Sequence, residues 1–441
     1  MKRFYLLTAL FLTLGLLVAC APAAPSAPAA TAAPAAPTAP AAPTAVQPAA
    51  PPPQVITIGY TVSQTGKYNV ESIRQTNGLK LWMKQVNEAG GIKLSDGTIL
   101  TFADKSYDDE SNTDRVQELY TRLAAQDSAQ FLISPYSSGL TSAASVIAEQ
   151  YGKVMITTGA ASDSNYTQGY TGVYQAYTPA SKYLTGAVDL LKSDAPAVKK
   201  LAIVHENDKF STSVVDAVKL YAEAQGYEIV LFEGYDSGTT DFAPFINKIQ
   251  QSAPDAILGG GHFQDGSTFA RQLAEKKVAA AYVALLVAPP EPTFAELGDA
   301  AVGIIGPSQW EPQAKFTAAA AKGAGLTWAG LTGEEYVATY KAAYGEEPSY
   351  HAAGGYVAGL ILGEAIKAAD STDSVKVKAA LDKMDLLTFY GRIKFEPGAA
   401  AHGLQIGHDM VYVQWQRDAA GSLVKEVIWP KEGRTANPIT R

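Results

Sequence analysis

The sequence predicts an α/β protein built from two doubly wound lobes, each a parallel β-sheet covered by helices on both faces. Short apolar runs without polar alternation indicate strands that are buried on both faces. Segments with an apolar stripe at helical spacing separate these runs, which favours parallel strands joined by crossover helices. Two such series follow one another, and about 390 residues lie after position 53, enough for two domains of ordinary size.

The first series of elements opens the part of the chain that is predicted to fold. Its predicted strands are 55–60, 131–133 and 154–156. Its helices are marked by apolar residues at helical spacing, namely Leu79, Trp82, Met83 and Val86, then Val116, Leu119, Tyr120 and Leu123, then Val146 and Ile147. The glycine pair 90–91 is a stop signal for the first of these helices.

The second series repeats this pattern. Its predicted strands are 201–204, 229–232 and 256–258. Its helices are marked by Val214, Val215, Val218 and Tyr221, and then by Phe245 and Ile249. In doubly wound sheets, sites form outside the carboxyl ends of the strands, so the loops that follow these strands are where functional residues are expected.

The first twenty residues have the layout of a secretory signal. Lys2 and Arg3 precede the mostly apolar stretch 4–19, and small residues come directly before Cys20. A cysteine at this position resembles a bacterial lipobox, which implies that 1–19 is a signal peptide and that Cys20 carries a lipid. The alternative is a transmembrane anchor, but the apolar run falls short of the roughly 20 residues that a spanning helix prefers.

Residues 20–53 are expected to be a tether. After Cys20 they are almost entirely alanine, proline and threonine, with a proline every few positions. Such a composition lacks the large apolar side chains that offset the entropy of ordering, and it favours an extended, polyproline-like chain. Such a tether indicates that the folded part is held at a distance from a membrane, and it does not indicate an activity.

Composition excludes several classes of protein. Cys20 is the only cysteine, so the body of the chain has no disulfide, no cysteine metal site and no cysteine nucleophile. The net charge of −8 and the pI near 5.3 argue against nucleic acid as a partner, because the phosphate backbone attracts basic patches.

No sequence motif of a catalytic or metal site is present. The five histidines form no H-E-x-x-H pair, and there is neither a G-x-S-x-G motif nor a phosphate-binding G-x-x-x-x-G-K-[ST] loop. An acidic cluster lacks the EF-hand pattern and is more typical of a helix start, namely Asp104, Asp108, Asp109, Glu110 and Asp114. We therefore expect no catalytic residue, no metal and no cofactor, with a surface hydrolase as a remaining alternative.

Several separated segments resemble one known family. They are 58–60 with Thr65-Gly66, 78–80 with 86–92 (V-N-E-A-G-G-I), 107–109, 202–205 with Lys209-Phe210, Asp241-Phe242 with 254–256, 391–396 (G-R-I-K-F-E) and 413–416 (V-Q-W-Q). In their order and spacing, from 55 to about 416, they resemble the type I periplasmic solute-binding proteins of the Leu/Ile/Val-binding group, which feed ABC importers. The resemblance implies two doubly wound parallel-sheet lobes with a ligand cleft between them.

The resemblance also implies the boundaries of the two lobes, the binding partners and the location of the protein. The chain is expected to cross between lobes near Tyr177, Gly306 and Gly403, giving an N-terminal lobe of 54–177 and 307–403 and a C-terminal lobe of 178–306 and 404–441. The implied partners are a small amino acid, amide or carboxylate, an ABC permease and its ATPase. The implied protein is an extracytoplasmic monomer that is anchored to the cell membrane through Cys20. A ligand-sensing receptor subunit of the same fold is the alternative.

The loop after the predicted strand 131–133 is the best local candidate for ligand binding. A strand-to-helix turn directs free backbone N–H groups and the positive helix end toward a site, where a carboxylate is well stabilised. The residues alone favour the simpler interpretation that Ser138 or Thr141 is a helix cap. The resemblance implies instead that Ser138, beside Ser137, holds the carboxylate of the ligand.

The resemblance extends to the next loop and to the other side of the cleft. It implies ligand contacts from Gly159, Ala160, Ala161 and Ser162. Family members carry a hydroxyl at position 161, and this chain lacks it unless Ser162 substitutes for it. Tyr68, Phe210 and His262 are the expected aromatic contacts, each with core packing or a plain turn as its structural alternative. Glu291 lies near the place where amino-acid binders hold the ammonium group of the ligand.

Overall fold

The computed structural model describes residues 53–441. The predicted signal peptide 1–19, the lipidation site Cys20 and all but the last residue of the tether 20–53 lie outside the described residues. Within 53–441, no helix combines the length and the apolar character that crossing a membrane requires.

Six strands form the first sheet, in the order β2-β3-β1-β4-β5-β6. They are β1 (Gln54–Val62), β2 (Ile92–Lys93), β3 (Ile99–Asp108), β4 (Phe131–Ile133), β5 (Val154–Thr157) and β6 (Val173–Gln175). All pairs are parallel except the short β2–β3 pair. The helices within this part of the chain are α1 (Asn69–Glu88), α2 (Thr113–Ala125) and α3 (Ser138–Gln150).

Seven strands form the second sheet, in the order β16-β15-β11-β10-β9-β7-β8. Five of them are parallel, namely β7 (Lys200–Glu206), β8 (Glu228–Tyr235), β9 (Ala256–Gly260), β10 (Tyr282–Leu285) and β11 (Ile304–Ser308). Its antiparallel edge is β15 (Val411–Arg417) and β16 (Leu423–Trp429). The helices that belong to it are α4 (Thr185–Asp194), α5 (Lys209–Ala224), α6 (Ala243–Ser252) and α7 (Phe263–Glu275).

The segment between β11 and β15 returns to the first sheet. It contains α8 (Ala318–Gly323), β12 (Thr327–Trp328), α9 (Gly333–Tyr344), α10 (Tyr350–Ala369), α11 (Ser374–Leu381), β13 (Asp385–Thr388) and β14 (Gly391–Lys394). Helix α10 lies directly against α1. The two backbones are so close that a Cβ on Gly355 would be 1.8 Å from the carbonyl oxygen of Gln75. Side chains of α1, α10 and the first sheet share one apolar core.

The two sheets have separate cores, and the chain passes between them after β6, β11 and β14. Residues 53–441 nevertheless belong to one compact unit. The predicted fold class, two doubly wound parallel-sheet lobes, is confirmed. The predicted crossing points near Tyr177, Gly306 and Gly403 stay predictions.

Candidate functional site

Loops at the carboxyl ends of the two sheets meet each other, as the doubly wound topology predicts. Lys67, in the loop after β1, places its Nζ atom 2.6 Å from Oε1 of Glu206 at the end of β7. The hydroxyl of Tyr136, in the loop after β4, lies 2.9 Å from Nδ1 of His262, which follows β9. These contacts define a cleft that is lined by both lobes.

Ser138 ties the two predicted binding loops of the first lobe together. Its Oγ atom accepts hydrogen bonds from the backbone N–H groups of Ala161, at 3.1 Å, and Ser162, at 3.0 Å. Neither Ser138 nor Thr141 caps α3: Ser137 stands at the N-cap position, and the Thr141 hydroxyl donates to the carbonyl of Pro135. The hydroxyl of Ser137 is buried and has no hydrogen-bond partner among residues 53–441.

The second loop approaches the first so closely that only glycine fits at position 159. Gly159 has φ +68°, and a Cβ there would be 2.3 Å from Oε1 of Gln75 and 2.5 Å from a ring atom of Tyr136. Ala160 and Ala161 are buried beside it. The hydroxyl of Ser162 lies 3.1 Å from that of Ser164, which is outside the predicted set of contacts.

Aromatic side chains form the walls of the cleft. The ring centroid of Tyr68 lies 4.7 Å from that of His262 and 5.5 Å from that of Tyr136. Phe210 is 5.8 Å from His262 and 5.0 Å from Tyr183. The structure therefore brings the predicted residues Tyr68, Phe210 and His262 together. Tyr136 and Tyr183 belong to the same aromatic cluster and were not predicted, although Tyr136 lies in the loop that the sequence singles out.

His262 is held in the cleft by a charged network. Its Nε2 atom lies 2.9 Å from Oδ2 of Asp208, and Oε2 of Glu206 is 3.9 Å away. Burial lowers the pKa of His262, but the negative charges of Asp208, Glu206 and Glu71 outweigh it and raise the pKa to about 9. At neutral pH the imidazolium thus donates to Tyr136 and to Asp208. Burial raises the pKa of Asp208, but the partner His262 lowers it to about 2.

Three of these groups also have the arrangement of possible metal ligands. Glu206, Asp208 and His262 each offer one ligand atom, and these atoms lie within 4.8 Å of one another. The Asp208–His262 hydrogen bond and the Lys67–Glu206 ion pair engage all three side chains. With Lys67 they form a network of ion pairs in the cleft.

Glu291 has partners of its own. It is fully buried, and its two oxygens contact Nδ1 of His351 and the guanidinium of Arg74, both from helices of the first lobe. Arg74 also reaches Oε2 of Glu346, at 3.2 Å. Burial raises the pKa of Glu291, but His351 and Arg74 outweigh it and lower the pKa to about 2. A role for Glu291 in holding the ligand stays a prediction, and both of its oxygens are already engaged.

Helix α1 contributes polar side chains to the cleft that were not predicted from the sequence. Glu71, Arg74 and Gln75 are buried there. An available signal was their spacing, because residues three and four apart share one face of a helix. That face continues into the glycine at 78, where α1 touches α10.

Comparison with known proteins identifies the family. Residues 55–421 match the family model described as "Periplasmic binding protein". The chain therefore belongs to the periplasmic binding protein family, and the resemblance to its Leu/Ile/Val-binding group is confirmed. Members of this family are solute-binding proteins that act outside the cytoplasm.

Two curated relatives share about a quarter of their residues with this chain. The Leu/Ile/Val-binding protein homolog 8 of Brucella melitensis is 26% identical over 360 residues, which cover 77% of this chain and 83% of the relative. The Leu/Ile/Val-binding protein homolog 7 of Brucella suis is 25% identical over 390 residues, which cover 83% and 91%.

Solved structures show the same fold. A branched-chain amino acid transporter substrate binding protein of Streptococcus pneumoniae, in complex with isoleucine, matches with a TM-score of 0.69 and 22% identity, covering 86% of this chain and 100% of the other. A solute binding protein of an ABC transporter from R. palustris, in complex with benzoate, matches with a TM-score of 0.70 and 19% identity, covering 88% and 98%. At these identities the likeness supports the fold alone.

Proposed function

We propose that the chain is the substrate-binding lipoprotein of an ABC importer and captures a small amino-acid-like or carboxylate solute by closure of its two lobes. The observation that carries the proposal is the cleft itself. Aromatic and polar side chains from both lobes meet there at the carboxyl ends of both sheets. Closure is favoured only by a solute that contacts both lobes, because only a difference in affinity shifts the equilibrium between open and closed forms.

The relatives support the class of solute. Their names refer to leucine, isoleucine and valine, and the two structural neighbours hold isoleucine and benzoate. The rings of Tyr68, Tyr136 and Phe210 suit an apolar or aromatic body on such a solute, since aromatic side chains bury a large area. The chain is not expected to alter the solute covalently.

Cys20 is the proposed anchor, and a permease with its ATPase are the proposed partners. Expression of the full chain with Cys20→Ala tests the anchor. We expect the wild type in the membrane fraction with an incorporated radiolabelled fatty acid, and the variant in the soluble extracytoplasmic fraction without the label. A variant that stays in the membrane fraction would contradict the lipid anchor.

A thermal-shift screen of the full chain tests solute binding. The panel contains amino acids, amides, and aromatic and aliphatic acids, and a specific solute raises the melting temperature as RT ln(1 + [L]/Kd). Deletion of the gene should then abolish uptake of the radiolabelled solute. A solute that binds but is still imported normally would contradict the importer role.

Ser138 is the residue to change once a solute is found. Ser138→Ala removes the acceptor that joins the two binding loops, and we expect solute binding to weaken by about 1–3 kcal/mol. Ser145→Ala is the matched control, because the Ser145 hydroxyl donates to the carbonyl of Thr141 within its own helix. Equal affinities of both variants and the wild type in calorimetry would contradict the role of Ser138.

A further inference from the structure

The first two turns of α1 bury a polar face in the cleft. Glu71, Arg74 and Gln75 lie on it, and Arg74 is neutralised by Glu291 and Glu346. Glu71 and Gln75 each keep one oxygen, Oε2 and Oε1 respectively, that is buried and has no hydrogen-bond partner within the described part of the chain. A buried acceptor without a donor costs free energy, so each of these oxygens calls for a partner from outside residues 53–441.

The orientation of the Gln75 amide is set by its neighbour. Its nitrogen donates to the carbonyl oxygen of Ser134 at 2.9 Å, and a carbonyl oxygen can bond only to a donor. The amide oxygen must therefore face away from Ser134. It lies beside Gly159, where an added Cβ would be 2.3 Å from it, and thus at the second predicted binding loop.

Glu71 lies one helical turn before Gln75 on the same face of α1. Its Oε1 atom accepts a hydrogen bond of 2.9 Å from the backbone N–H of Phe263, which directly follows His262. Glu71 therefore extends from the first lobe to the second while its other oxygen stays free among the residues described. The pair thus lies between Gly159 of the first lobe and Phe263 of the second.

We propose that Glu71 and Gln75 receive N–H groups of the solute, from either an ammonium group or a primary amide. A carboxylate has no proton to donate at neutral pH and would be repelled by the charge of Glu71, whereas an ammonium or amide nitrogen offers two or more donors. The solute nitrogen then lies against α1 of the first lobe, and Glu291 stays paired with Arg74 and His351. This inference rests on the proposed function, because it names the chemistry of the solute that enters the proposed cleft.

Matched probes separate this inference from the proposed function. Isothermal titration calorimetry of the full chain compares leucine with 4-methylpentanoate, which lacks the ammonium group, and benzamide with benzoate, which lacks the amide nitrogen. We expect leucine or benzamide to bind at least tenfold more tightly than its nitrogen-free counterpart. The leucine arm identifies an ammonium group and the benzamide arm an amide.

Glu71→Gln then tests the residue itself. The variant keeps the side-chain shape and an oxygen for the N–H of Phe263, and we expect it to weaken binding of the nitrogen-bearing probe at least tenfold. Glu88→Gln is the matched control, because Glu88 lies on the same helix in an exposed pair with Lys84. Nitrogen-free probes that bind as tightly as their counterparts, with no effect of Glu71→Gln, would overturn the inference and leave the proposed function standing. Silence from all four probes and from the solute panel would overturn both.

Discussion

Replacing Glu291 by glutamine tests whether this carboxylate stabilises the fold or serves the solute. Glu291 is fully buried, and both of its oxygens are bonded to side chains of the other lobe, His351 and Arg74. Burial raises the pKa of Glu291, but these two partners outweigh it and lower the pKa from 4.5 to about 2. That difference corresponds to about 3 kcal/mol of stability at neutral pH. Breaking a buried ion pair by removing one partner costs a similar ~3–5 kcal/mol.

We therefore expect Glu291→Gln to lower the free energy of unfolding by about 3 kcal/mol at neutral pH. Urea denaturation of the solute-free protein, monitored by circular dichroism, measures this free energy of unfolding. Because the pKa is lowered in the folded state, the contribution of Glu291 is complete above pH 4.5 and is lost as the pH falls through about 2. The difference in the free energy of unfolding between the wild type and Glu291→Gln should therefore become smaller as the pH falls from 4.5 to about 2.

An exposed pair supplies the control for this experiment. Glu347 lies 2.5 Å from Lys341, and the two side chains are 52% and 50% exposed. Glu347→Gln should change the free energy of unfolding by less than about 1 kcal/mol. A loss of less than about 1 kcal/mol for Glu291→Gln as well, or a loss that does not depend on pH, would contradict a stabilising role of Glu291. Normal stability with weakened solute binding would instead give Glu291 the ligand role that the sequence predicts.

Two further predictions concern a buried histidine and a loop glycine. Burial lowers the pKa of His408 from 6.5 to about 4, so the folded protein loses about 3 kcal/mol of stability as the pH falls from 6.5 to about 4. His408→Gln should remove that part of the slope in urea denaturation at a series of pH values, and an unchanged slope would contradict it. Gly159→Ala should cost at least about 2 kcal/mol more than Gly152→Ala, because both have positive φ but only the Cβ at 159 would meet Tyr136, and nothing lies within 4 Å at 152. Equal melting temperatures of the two variants would contradict the contact.

The sequence predicts the parallel strands best where both faces are buried. All four residues of β5 and all five of β9 are buried, and their apolar runs were recognisable without any partner. Strand β3 was missed because its second half carries lysine, serine, tyrosine and aspartate and is only partly covered. Pairing with β1 over nine residues keeps it in the sheet, and that pairing is a tertiary effect that a local pattern does not contain.

The polar side of the cleft was harder to predict for a physical reason. On α1 the residues Glu71, Arg74 and Gln75 look like a solvated helix face, since charged side chains are rarely buried without a partner. The partner of Arg74 is Glu291, 217 residues away along the chain. Only the folded chain brings the two charges together. By its position in the sequence Glu291 resembles a ligand contact. In the folded chain it is paired with Arg74 instead.

The cleft therefore contains two kinds of polar group with different roles. Paired groups, such as Lys67 with Glu206 and Arg74 with Glu291, join the lobes through the protein's own charges and gain little from a solute. Unpartnered groups on the first lobe gain most when a solute enters, because a buried polar atom without a partner costs more than a formed hydrogen bond returns. Within residues 53–441 these atoms include Glu71 Oε2 and Gln75 Oε1. Selectivity for the solute should follow the unpartnered oxygens, while the paired charges set how closely the lobes approach.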